Sequence, residues 1–157
     1  MKEQWIRAFG TMTYGIYILT TAQDEKMNGM VASWVSQVSY EPALIAVAVH
    51  NNRLSHKLIE DSGRFALHVL GENQTELISR FMASDPDTKF TGLEWEAGHT
   101  GCPILKDCVA YFECRLNTRL QPGNHTIFIG EVAAAGEISE RRPLSTRDFR
   151  GQYIGKA

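Results

Sequence analysis

Three short stretches of this chain carry side chains that could do chemistry together. Residues 28–39 read Asn-Gly-Met-Val-Ala-Ser-Trp-Val-Ser-Gln-Val-Ser, with small and hydroxyl residues where a strand ordinarily carries bulky ones. A flat aromatic ligand can lie against such a strand, its ring nitrogens and carbonyls meeting backbone groups, Ser33, Ser36 and Gln37. Residues 50–57 read His-Asn-Asn-Arg-Leu-Ser-His-Lys. Asn52, Arg53, Ser55, His56 and Lys57 fall where a helix begins, and the unpaired N–H groups of a first turn favour a phosphate there. His125 follows a Pro-Gly-Asn turn. A turn end is exposed yet held by rigid strands, and an imidazole that titrates near neutrality can hydrogen-bond a ligand oxygen or ring group. Each stretch also has a plain structural reading: a sheet with one wet face, a capped surface helix, a hairpin-end histidine.

Several other chemistries lack their motifs. There is no Gly-x-Gly-x-x-Gly after the first strand, no P-loop lysine, no His-Glu-x-x-His and no nucleophile elbow. The histidines stand at 50, 56, 68, 99 and 125. His50 and His56 are close enough in sequence to meet across a loop–helix junction, but the scatter gives no reason to expect a metal. Cys102, Cys108 and Cys114 are odd in number and six apart, a spacing that fits neither a disulfide framework nor a zinc or thioredoxin motif. Reduced thiols fit a reducing cytosol.

Elements that could position these residues follow from pattern. A helical turn or two from Lys2 leads into a strand at Gly15–Thr21. Residues 22–28 are polar, and Asn28-Gly29 is a turn signal before a second, bulged strand at Met30–Ser39. After Pro42, Ala43–Val49 is a continuous apolar run, which suggests a strand buried on both faces or lining a barrel. Ser55 is placed to cap a short helix to Ile59, ended by Asp61-Ser62-Gly63. A strand at Phe65–Leu70 and a helix over Gln74–Met82 come next. A brief strand at Glu94–Glu96 and a long hairpin, Val109–Leu120 with His125–Ala134, complete the reading. Six or so strands with two short helices imply a small barrel or closed antiparallel sheet. Short strands stand alone poorly, so closure or dimerisation is expected.

The chain has 157 residues, 43% of them apolar, which suits one domain over 1–157 with a charged tail from about residue 137. Tyr153-Ile154 at its end could dock or dangle. The net charge of -2 gives no general reason to bind nucleic acid or an anionic membrane. Residues 1–10 carry charges among apolar residues and lack a signal-peptide core, and 43–49 is too short to span a bilayer. The expected location is the cytoplasm.

In order along the chain, several pieces resemble the flavin reductase-like family, the FMN-binding split barrels. They are Tyr14-Gly15 with Ile18-Leu19-Thr20, and Asn28-Gly29-Met30 with Ser33, Val38 and Ser39. Pro42, Gly63-Arg64-Phe65-Ala66 with Val69-Leu70, Lys89-Phe90 and Cys102-Pro103-Ile104-Leu105 follow. Ala110–Cys114 and Asn124-His125-Thr126 with Ile129-Gly130-Glu131-Val132 close the set. The match covers about residues 9–136. Thr13–Tyr17, Ser36–Ser39 and Ser55-His56 are most similar to flavoredoxin and to the flavin domain of high-molecular-weight rubredoxin. No Cys-x-x-Cys pair follows, so any rubredoxin is a separate partner.

The resemblance implies a mostly β fold, a Greek-key split barrel with short flanking helices, dimerising with FMN near the subunit interface. It implies that Asn28 belongs to the flavin-facing strand and that Ser33, Trp34, Val35, Ser36 and Gln37 line the isoalloxazine ring. Asn51, Ser55 and His56 would lie near the ribityl chain and phosphate, with Arg53, Lys57 and Lys89 adding charge. His125 would stand near the ring or the nicotinamide entry, as the catalytic candidate. Many relatives carry Asp before this histidine; here it is Asn124. A neutral partner orients an imidazole without raising its pKa as a carboxylate does. The implied activity is NAD(P)H:flavin oxidoreduction, with hydride passing from NADH or NADPH to FMN and electrons to an acceptor such as a rubredoxin or an oxygenase. The alternative is a flavoredoxin-like electron-transfer protein reduced by a partner; Trp34 beside the ring could either stack usefully or block the nicotinamide face. Arg141, Arg142 and Arg147 are candidates for a 2′-phosphate contact.

Overall fold

A computed structural model describes residues 2–148. Tyr153 and Ile154 lie outside the described residues. The chain runs α1 (Glu3–Phe9), β1 (Tyr17–Gln23), β2 (Lys26–Ala32), β3 (Val35–Ser39), β4 (Leu44–His50), α2 (Leu54–Ser62), β5 (Arg64–Val69), α3 (Glu76–Met82), α4 (Pro86–Lys89), β6 (Trp95–Ala97), β7 (Pro103–Leu105), β8 (Ala110–Leu120) and β9 (His125–Glu137). Seven strands form one antiparallel sheet in the order β2-β1-β5-β8-β9-β4-β3, and β6 and β7 make a separate hairpin. The two outermost strands, β2 and β3, are consecutive in sequence and joined only by Ser33-Trp34. That short link holds the sheet's two edges together, so the sheet must curl. Register shifts at Gln37/Ser39, Glu113/Cys114 and Leu116/Thr118 supply the bends. The result is the mostly β, split-barrel architecture the sequence suggested.

Alternation decides what fills the barrel. Leu19, Val47, Phe65, Leu67, Cys114 and Phe128 point inward and are almost fully buried. In β4 only every second residue, Ile45, Val47 and Val49, is buried. The apolar run therefore lines a barrel rather than hiding on both faces. Ile59 of α2 joins this interior cluster and plugs one end. The outer face of β1 and β2 carries a second core, in which Ile16, Ile18 and Val31 meet Leu77, Ile78 and Phe81 of α3.

Several local expectations change. Asn28-Gly29 is inside β2, not at a turn; the hairpin turns at Asp24-Glu25, with Asp24 at φ 53°. Gly29 is there because a Cβ would come within 2.4 Å of the Phe81 ring. The single strand expected over 30–39 is two, broken at Ser33-Trp34. Ser55 does not cap α2; the cap position belongs to Arg53, and Ser55 is buried inside the helix. Gly63 does end α2, in the left-handed region at φ 66°. The described part of the tail, up to residue 148, docks: Leu144 is buried, and Ser145 and Pro143 bridge to Gly15 and Gly71.

His68 points outward from β5 into the second layer and is fully buried. Its Nδ1–H donates to the Ile18 carbonyl at 3.0 Å, and its Nε2 accepts from the Leu105 N–H at 3.1 Å. Burial pushes its pKa down to about 4. The unfolded chain, with the ordinary value of about 6.5, therefore binds a proton that the folded chain refuses. Stability from this group is complete above that ordinary value and is lost as pH falls toward 4, by up to about 3 kcal/mol. His68→Gln removes the titrating group and leaves an amide oxygen that can still accept from the Leu105 N–H. Urea denaturation at neutral pH and near pH 4 is expected to show the wild type losing more stability than the variant by about that amount; equal losses would refute the assignment.

Candidate functional site

Strand β2, helix α2 and helix α4 converge on one buried polar cluster. Asn28 faces inward, and its Nδ2 donates to Ser55 Oγ at 2.9 Å. Lys89, at the end of α4, is only 6% exposed. Its ammonium donates to Asn28 Oδ1 at 3.1 Å and to the Gly29 carbonyl at 2.8 Å. Among the described residues no carboxylate is hydrogen-bonded or ion-paired to it. Burial lowers its pKa, the Arg53 guanidinium lowers it further, and Asp85 acts the other way through space. A buried cation next to a second cation is costly unless something negative joins them. A cation buried without a carboxylate partner can take an anion such as a phosphate.

A second network lies alongside. His56 is buried, and its Nε2 meets Thr126 Oγ1 at 2.7 Å. The Thr126 hydroxyl donates to Asn51 Oδ1 at 3.2 Å, so His56 donates to Thr126. The other ring nitrogen, Nδ1, faces Glu60 at 3.5 Å, and Glu60 is ion-paired with Arg119. Both nitrogens of His56 are thus turned to the protein. The residue holds Asn51 in place, with the Asn51 N–H also fixed on the Asn124 carbonyl.

The third group is aromatic. Trp34, in the link between β2 and β3, is 45% exposed, and its ring lies 4.7 Å from that of His125. His50 sits directly opposite His125 in the β4–β9 ladder, edge-on at 4.9 Å. His125 Nδ1 lies 2.8 Å from Asn124 Oδ1. Partial burial, His50 and Arg53 together hold the His125 pKa below its ordinary value. Finally, the barrel end opposite α2 opens into a cavity of about 400 Å³, bounded by Tyr17, Phe112 and Val132 together with Val35, Ser36 and Gln37.

The segment 28–37 thus reaches the cationic cluster, the aromatic group and the cavity. Asn28 enters the cationic cluster, Ser33 is buried, Trp34 meets His125, and Val35, Ser36 and Gln37 border the cavity. Ser55 and Lys89 join the cluster at Asn28, and the exposed Arg53 acts on Lys89 only through space. Lys57 does not: it pairs with Asp61 at 2.7 Å on the exposed face of α2, one turn on. His50 meets His125 across the ladder rather than His56. Arg141 and Arg142 are occupied by Asp107, Glu72 and Asp148. Thr126, Glu60 and Arg119 were not legible as site residues. The i, i+4 spacing of His56 and Glu60 on one helix was the only available signal.

Comparison with known proteins shows the family and the fold. Residues 9–153 match the family described as "Flavin reductase like domain". The reductase subunit HsaB of a flavin-dependent monooxygenase from Rhodococcus jostii is 36% identical, over 93% of this chain and 73% of its own length. A high molecular weight rubredoxin from Moorella thermoacetica is 34% identical over 88% of this chain and 62% of its own. Among solved structures, an NADH:FAD oxidoreductase of Streptomyces globisporus in complex with NAD and FAD fragments superposes with a TM-score of 0.84. It is 28% identical, covering 90% of this chain and 86% of that one.

Removing the His56 ring takes the donor from the buried Thr126 oxygen, which keeps only its bond to Asn51, and leaves Glu60 with Arg119 alone. His56→Ala is expected to cost about 1–3 kcal/mol of stability, the range for leaving a buried partner unsatisfied. Urea denaturation measures it; a change below half a kilocalorie would mean, by the same principle, that the network carries no load.

Proposed function

The chain belongs to the flavin reductase like domain family of flavoprotein oxidoreductases, and from that premise we propose that it is an FMN-dependent NAD(P)H:flavin oxidoreductase. The observation that carries the cofactor reading is the buried Lys89 ammonium on Asn28, itself bonded to Ser55, with Arg53 acting through space, which suits the phosphate of a mononucleotide. Asn51, held by Thr126 and His56, supports a polar contact to the sugar-like chain. Ser33 to Gln37 offer main-chain groups and hydroxyls to the ring. A bound flavin supplies the redox chemistry, accepting a hydride from a reduced nicotinamide and passing the electrons on. What these residues contribute is distance, orientation and a site partly closed to water. His125 is the group we assign to the nicotinamide side, with Asn124 fixing its tautomer.

The same reading includes one domain over 1–157, a cytoplasmic protein and a homodimer. Among the described residues no helix is long and apolar enough to cross a membrane. The open cavity and the exposed Trp5, Phe9, Val38 and Tyr40 offer apolar area that a second copy would cover. The reductase-subunit relative supports an oxygenase as acceptor, and the rubredoxin relative supports a rubredoxin. A second reading, electron transfer without intrinsic nicotinamide activity, draws on Trp34, whose half-exposed indole next to His125 would screen that approach.

The purified protein is expected to be yellow or to bind added FMN at micromolar levels, more tightly than FAD. Its flavin absorbance should bleach on anaerobic addition of NADH or NADPH. Bleaching only through a reduced partner protein would favour the second reading, and failure to bind FMN would end both. Lys89→Met is expected to weaken FMN binding at least about tenfold, or about 1.4 kcal/mol. Unchanged affinity in that variant would remove Lys89 from the phosphate site.

A further inference from the structure

We propose that His50 is a positioning residue for His125, holding that ring in one orientation beside the indole of Trp34. The assignment starts from the ladder: His50 and His125 are the last paired residues of β4 and β9, so their side chains leave the same face directly opposite one another. The two rings meet edge to face at 4.9 Å, and the tilted Trp34 indole also lies 4.7 Å from the His125 ring. His50 is itself fixed, because its Nδ1 accepts from the Asn52 N–H at 3.2 Å. That contact puts the proton of neutral His50 on Nε2.

His125 is fixed at its own Nδ1 by Asn124 Oδ1, which makes Nδ1 the donor. Its Nε2 is then the atom left to meet a ligand. The titratable and charged groups acting on His125 are His50 on β4 and Arg53 at the start of α2. Trp34 and Asn124, the other neighbours, carry no charge. Two imidazoles this close resist taking protons together, and the guanidinium adds to that resistance. His50 therefore does two things at once. Its ring edge orients His125, and its presence favours the neutral form whose Nε2 accepts a hydrogen bond. The carboxylate that would push the other way is absent, since position 124 is Asn. The consequence for turnover rests on the role proposed above for His125; the pairing of the rings does not.

The test is a proton-resonance titration of the histidine ring protons in the wild type, His50→Phe and His50→Gln. The Phe variant keeps an aromatic edge against His125 without a titrating group. The Gln variant keeps an acceptor for the Asn52 N–H. In both, the His125 midpoint is expected to rise by roughly half a pH unit, the effect of removing one partly screened like charge at this separation. Trp34 emission, which an adjacent imidazolium quenches, should shift its pH midpoint by the same amount. If NADH-dependent flavin reduction uses neutral His125, the acid limb of its kcat/KM profile moves up with it, while kcat at high pH stays within about threefold for His50→Phe. Midpoints for His125 and for Trp34 emission that stay unmoved in both folded variants would overturn the proposal. Shifted midpoints with an unshifted activity profile would leave the pairing standing and instead remove His125 from the proposed hydride step.

Discussion

A two-residue link governs this molecule. Ser33 and Trp34 join the two edge strands of a seven-stranded sheet, so the edges lie as close as that link allows. An open sheet of this order would leave β2 and β3 far apart, which two residues cannot span. Curling brings Leu19, Val47, Phe65 and Phe128 together inside, and burying that apolar surface is what holds the curl. The edges do not pair as a ladder, and the split between them is where polar residues gather. Asn28 precedes the link, Trp34 forms it, and Val35 to Gln37 follow it.

The cost of the cationic cluster explains why it exists only where the barrel can pay for it. A lysine as deeply buried as Lys89 loses most of its hydration, and two neutral oxygens replace only part of it. Leu or Met at 89 would fill the space between α4 and β2 without an ion. The same logic separates Lys89 from Lys57 and Arg142, which sit in water beside carboxylates and contribute little to either stability or binding. Buried unpaired charge marks a binding site more sharply than a count of basic residues does.

The flanking layer has a different task. Helices α3 and α4 and the β6–β7 hairpin cover the outer face of β1, β2 and β5, where His68 ties β7 to the sheet through both ring nitrogens. This layer delivers Lys89 to Asn28. The close seat of Phe81 on Gly29 sets how near α3 comes to β2, and α4 follows within a few residues. A glycine in β2 thus helps to fix where the ammonium arrives.

Alternation over 110–120, the apolar run at 43–49, and the ordered motifs from Tyr14 to Val132 were enough to determine a β-rich barrel, its family and most of its strands. These are local signals: side-chain period, turn chemistry and residue type act within a few positions of one another. They also singled out Ser55 and His125, whereas Asn28 and Lys89 entered as site residues only through the family resemblance. Which of these meet was decided only by the tertiary structure. Lys89 is 61 positions from Asn28, and His50 is 75 from His125. No periodicity reports contacts across such a span, because register between distant strands is set by closure of the whole sheet. For the same reason Asn28-Gly29 read as a turn: the Phe81 ring that demands its glycine lies more than 50 residues away.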